Sequence, residues 1–149
     1  MKTPSSRNSQ MRVLVAVQRC EQRIILEKAL SLMGYFRVCP VSTFEELTRL
    51  SHFSPNLYDR FDVLIVNADV VSAAGLDAAD FCLNCSRFKH VLIQDSVHAG
   101  KRPSTLSAKA NHHVRMVNAI DYEALESFLS LVDKHFNGSR VSALSVSAA

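Results

Sequence analysis

Long hydrophobic runs are missing from this chain. No apolar stretch approaches the ~20 residues that a membrane-spanning helix needs. The first ten residues, MKTPSSRNSQ, hold no apolar h-region, so no secretory signal is read. A cytoplasmic chain with no membrane partner is therefore expected. Basic residues are not blocked: Arg19, Arg23, Lys28 and Arg37, then Lys89, Lys101, Arg102 and Lys109, are scattered along a chain of net charge +3. Without a basic stripe or a recognition motif, no direct nucleic-acid binding is expected. Glycine is absent from Val17-Gln18-Arg19-Cys20, the turn after the first strand, where a dinucleotide fold requires it, and no P-loop pattern occurs. No nucleophile–base pair or metal cluster stands out either. The expectation is a non-enzyme with no cofactor, no metal and no catalytic residue.

The cysteines Cys20, Cys39, Cys82 and Cys85 are expected to be reduced thiols in such a compartment. Cys82-Leu-Asn-Cys85 is formally a CxxC, but it closes a predicted helix, whereas a thioredoxin-type pair opens one directly after a strand. A zinc site needs two more ligands, and only His90 is near in sequence. In Asn111-His112-His113, adjacent strand residues point to opposite sides. A shared ion is thus not expected there, and a pH-sensitive surface remains the reading.

What is present is a globular composition: 48% hydrophobic with 21% charged residues, in 149 residues. That suffices for one cored domain and falls short of two. The domain is predicted over 11–137, with 1–10 and 138–149 as flexible tails. A first strand is read at Arg12–Val17, and a helix at Glu21–Met33 closed by Gly34. An edge strand containing Pro40 follows at Phe36–Val41. Ser42-x-x-Glu45 then reads as a capping box for a helix with Phe44, Leu47 and Leu50 on one face.

The chain is organised around Asp62-Val63-Leu64-Ile65-Val66-Asn67-Ala68-Asp69, an unalternating apolar run typical of a parallel strand buried on both faces. Asn67 to Asp69 follow its carboxyl end, where open α/β sheets carry their chemistry. A short helix is predicted at Asp77–Ser86 and a fourth strand at His90–Gln94. The polar segment Asp95–Asn111 holds at most one weak helix, Ser104–Ala110. A fifth strand follows at His113–Val117. Asp121 then caps a helix striped with Tyr122, Leu125, Leu129, Val132 and Phe136. Alternating strands and helices predict an α/β, flavodoxin-like doubly wound fold: a five-stranded parallel sheet, order 2-1-3-4-5, with helices on both faces.

This pattern resembles the receiver domain of bacterial two-component response regulators. The likeness rests on the spacing from the first strand to Gly34-Tyr35, on the Glu45-Glu46-Leu47 helix, and on Asp62-Val63-Leu64-Ile65-Val66 ending at the phosphoacceptor position. The resemblance implies two Mg²⁺-binding acids where Val17 and Gln18 stand. It also implies a phosphoacceptor aspartate at Asn67, a hydroxyl residue at Asp95 or Ser96, and a lysine at Asn118, which Ala119 follows in place of proline. Mg²⁺ needs carboxylate oxygens, and Val17 and Gln18 supply none. An amide does not form an acyl phosphate as a carboxylate does. Without the lysine, the charge that offsets an incoming phosphoryl group is gone.

The expected protein is consequently a degenerate receiver, or pseudo-receiver, acting in signal transduction independently of phosphorylation. Its expected partner is a protein or a second copy, met through the face the family uses, formed by its fourth helix, fifth strand and fifth helix. Since only a polar tail is read after Phe136, a stand-alone module is expected. The alternative is a small-ligand sensor using the uncharged crevice of Gln18, Asn67, Ser96 and Asn118. Asp69 and Asp95 are the acids nearest that pocket. Arg19 is a candidate to pair with one of them and so mimic an occupied site.

Overall fold

The computed structural model describes residues 11–52, 61–85, 87–95, 104–109 and 112–134. Predicted features at Ser96, Asn111, Phe136, the loop 53–60 and the two tails lie outside them. Strands are β1 (Arg12–Ala16), β2 (Arg37–Val41), β3 (Val63–Asn67), β4 (His90–Gln94), β5 (Ser104–Lys109) and β6 (His112–Val117). Helices are α1 (Cys20–Leu32), α2 (Phe44–His52), α3 (Ala68–Ser72), α4 (Ala78–Asn84) and α5 (122–134). Among the described residues no helix is long and apolar enough to cross a membrane.

The sheet is α/β in its layering, because each central strand buries both of its faces. Leu14, Ala16, Leu64, Val66, Val91 and Ile93 point to one side, where Leu47 of α2, Val70 and Val71 of α3, and Ala78 and Cys82 of α4 cover them. The alternate residues Val13, Val15, Val63, Ile65 and Leu92 point to the other side. There Leu26 and Leu30 of α1 and Leu125, Phe128, Leu129 and Val132 of α5 close the core. This two-sided burial is why the strands read as continuous apolar runs.

The predicted strand count and order are corrected. Among the described residues six strands run β2-β1-β3-β4-β6-β5, and β5 lies antiparallel to β6 at the edge. Its segment, expected as a weak helix, carries one large apolar side chain, Leu106. A helix there has no apolar stripe to bury, whereas a strand satisfies its backbone on the edge of β6. The register shifts between Thr105 and Ser107, and Leu106, between them, packs against the core. Ser107 Oγ also donates to the His112 carbonyl at 3.0 Å. The remaining five strands are mutually parallel, in the order β2-β1-β3-β4-β6.

Helix ends follow local chemistry. α1 closes in a Schellman arrangement: Tyr35 N donates to Leu30 O at 2.9 Å and Gly34 N to Ser31 O at 3.0 Å. Gly34 takes φ 95°, a conformation glycine adopts without the Cβ clash. The capping box of α2 sits one residue later than predicted. Thr43 Oγ1 accepts from Glu46 N, and the Glu46 carboxylate accepts from Ser42 and Thr43. Glu45 instead pairs with Arg49 at 3.0 Å, one turn on.

Candidate functional site at the carboxyl ends of the strands

Parallel pairing gathers the strand ends. Ala16 aligns with Val66, Asn67 with Gln94, and Gln94 with Val117. Residues following these strands, Val17, Asp95 and Asn118, therefore meet Asn67 at one end of the sheet. Two backbone bonds tie that end together: Val17 N to Val41 O at 3.1 Å and Asp95 N to Val117 O at 2.9 Å. Within it, Asn67 and Asp95 are half-buried, while Gln18, Asp69 and Asn118 are exposed. Val17 is not in the opening at all. Its side chain is 1% exposed and belongs to the core between β1, α1 and α5.

Asn67 already has work in the fold. Its Oδ1 accepts from Asp69 N at 3.1 Å, with an extended backbone (φ −85°, ψ 132°), so it is the N-cap of α3. Asp69 lies in the first turn of that helix, where a negative charge is favoured by the aligned peptide dipoles. α3 was not foreseen from the sequence, although its signal is there: asparagine, then an acid in the first turn, then Val70-Val71.

Two further side chains escaped the sequence reading. Gln22 of α1 donates from Nε2 to Gln94 Oε1 at 2.8 Å, joining helix to strand end across 72 residues. An amide ending an otherwise apolar strand was the available clue. Arg23 Nη1 donates to the carbonyls of Val17 (2.9 Å) and Gln18 (3.1 Å). A guanidinium thereby holds the backbone where the resemblance implies a cation. The expected pairing of Arg19 with Asp69 or Asp95 is not found among the described residues. Arg19 is exposed at the start of α1 and its side chain makes no capping bond.

Other candidates fall to structural roles. Cys82 is fully buried and its thiol is pushed up to about 12, chiefly by burial, while Cys85 is half-buried and both are free thiols. His113 lies in the core, its ring 5.9 Å from that of Phe128 and 6.3 Å from that of His90. It therefore provides no surface, and His112 is half-buried on the opposite face. Among the described residues no group of three or more His, Cys, Asp or Glu is placed to hold a metal ion. Asn118 lines a cavity of about 430 Å³ between β6 and α5, together with Arg115, Asp121 and Glu123.

The buried thiol yields a measurable consequence. Cys82 ionises near 9.0 when solvated and near 12 when folded. A raised folded value leaves stability untouched below pH 9 and erodes it as pH rises from 9 toward 12, by at most about 1.4 kcal/mol per pH unit. Cys82→Ala is expected to flatten part of that alkaline loss in urea melts. At pH 8 a thiol reagent is expected to modify exposed Cys20 in the native protein and to leave Cys82 unmodified.

Compared with known proteins, the chain matches no family model, no curated sequence and no solved structure.

Proposed function

We propose that this chain is a pseudo-receiver: a flavodoxin-like domain of response-regulator type that acts in signal transduction by protein–protein contact, without phosphorylation and without catalysis. The observation that carries the reading is the state of Asn67. It ends the central parallel strand, where a receiver bears its phosphoacceptor carboxylate, and its amide oxygen is engaged in starting α3. Val17, at a position the family gives to a metal-binding acid, is core. A buried valine and a capping amide supply neither Mg²⁺ ligand nor nucleophile.

The small-ligand reading of the same crevice has less behind it. Asn67 Oδ1 and the Gln22–Gln94 pair are hydrogen-bonded within the fold, which leaves fewer polar groups to greet a ligand. The test of the leading reading is phosphoryl labelling. Incubation with Mg²⁺ and radiolabelled acetyl phosphate is expected to leave the protein without acid-labile phosphate, and stoichiometric label on the chain would overturn it.

A further inference from the structure

Helix α1 is apolar on both sides. Its inner side buries Leu26 and Leu30. Its outer side carries Ile24 (44% exposed), Ile25 (66%) and Leu32 (77%), with Phe36 (62%) just beyond the helix end. Isolated exposed apolar residues are ordinary on a protein surface. Here, however, half of the large hydrophobic side chains exposed among the described residues occupy one helix and its exit. A cluster of that kind marks an interaction surface.

The charges around the cluster identify its occupant. At about 100° per residue, Glu21, Ile24, Ile25 and Lys28 fall within one sector of about 100° on the outer side of α1. Along the axis they run acid, isoleucine, isoleucine, base, symmetric about the midpoint between Ile24 and Ile25. Turning a second α1 antiparallel about a two-fold axis through that midpoint lays each isoleucine against its own counterpart. The same rotation sets Glu21 of each copy opposite Lys28 of the other. Within a single helix Glu21 and Lys28 are seven residues, or about 10.5 Å, apart, which is too far for an ion pair. Neither has an ion-pair partner among the described residues. A surface that complements itself under a two-fold rotation is the requirement for an isologous dimer.

We propose that the chain self-associates as a two-fold dimer through antiparallel α1 helices, with Ile24 and Ile25 at the centre and two Glu21–Lys28 ion pairs at the rim. The inference is independent of the pseudo-receiver reading and uses a different face from the one implied by that resemblance. The four residues of this contact are few beside the roughly 20–30 a side of a standard interface, so association is reversible and depends on concentration.

Sedimentation velocity over a micromolar concentration series tests this. The weight-average sedimentation coefficient is expected to rise from monomer toward dimer, and Ile25→Glu is expected to hold the protein monomeric at the highest concentration. Glu21→Lys and Lys28→Glu are each expected to weaken association about tenfold, because each turns two attractions into like-charge contacts. The double variant Glu21→Lys/Lys28→Glu is expected to return to within about threefold of the parent, since the rim pairs re-form with their signs exchanged. All three positions are exposed, and unchanged thermal melts of the variants confirm that the fold is kept. A monomer at every concentration, a dimer indifferent to Ile25→Glu, or a double variant no tighter than the singles would each refute the proposal.

Discussion

Val17→Asp is expected to cost the domain about 3 kcal/mol or more at neutral pH, and Asn67→Asp to cost almost nothing. Both changes place a carboxylate at a position where the resemblance to receiver domains implies one, but the two environments differ. Val17 is 1% exposed and packs in the core shared with Leu26, Leu30, Leu125 and Phe128. The Arg23 guanidinium nearby is already bonded to the Val17 and Gln18 carbonyls. Burial disfavours the charged form, so the introduced carboxyl has its folded pKa raised above its unfolded value near 3.9. A raised folded value puts the charge penalty above the unfolded pKa and relieves it as pH falls toward it. The deficit relative to the parent is therefore expected to narrow in urea denaturation between pH 7 and pH 4. Asn67→Asp keeps an oxygen to accept from Asp69 N and remains a good N-cap, with Asp69 and, on the neighbouring strand end, Asp95 as the described acids that oppose it. An equal loss for the two variants would mean that Val17 does not face the core.

That contrast bears on what a sequence alone reveals. The position of Asn67 at the end of a doubly buried strand was legible, because a run such as Val63-Leu64-Ile65-Val66 has few other ways to bury itself. The consequence of its side chain was not, since a cap depends on whether the next residues turn into a helix. α3 is five residues long and too short for periodicity to declare itself. The same limit hid β5. Its residues alternate weakly, and its strand state comes from the open edge of β6, a partner that local propensity does not contain. Gln22 and Gln94 meet across 72 residues, beyond the reach of any window. The stripe of α5 was misread at two places for a geometric reason. Tyr122 and Phe128 each stand three residues from Leu125, and helical spacing alone accepts either. The turn capped by Asp121 leaves Tyr122 52% exposed and puts Phe128 at 0%.

Phe128→Ala is accordingly expected to be among the most damaging single truncations in the domain, at about 3–5 kcal/mol. A domain of this size has ~5–15 kcal/mol in total. The ring is fully buried and stacks on His113, 5.9 Å between centroids at 18°. Its removal opens a void beneath α5, over the side of the sheet on which His90 and His113 also lie side by side in register. Phe128→Leu fills most of that void and is expected to lose about half as much. Urea midpoints with unchanged slope report the loss, and a change within about 0.5 kcal/mol, as for a surface residue, would contradict the packing. The effect reaches the strand ends at Val117, whose carbonyl accepts from Asp95 N at 2.9 Å and which sits in the same core cluster as Phe128. If α5 and the strand ends unfold as one cooperative unit, hydrogen exchange at the Asp95 amide accelerates in step with the global loss. Exchange that speeds up at Asp95 by less than the global change places the candidate site in a separate, locally opening segment. In that case the amide-lined end of the sheet moves independently of the core that supports it.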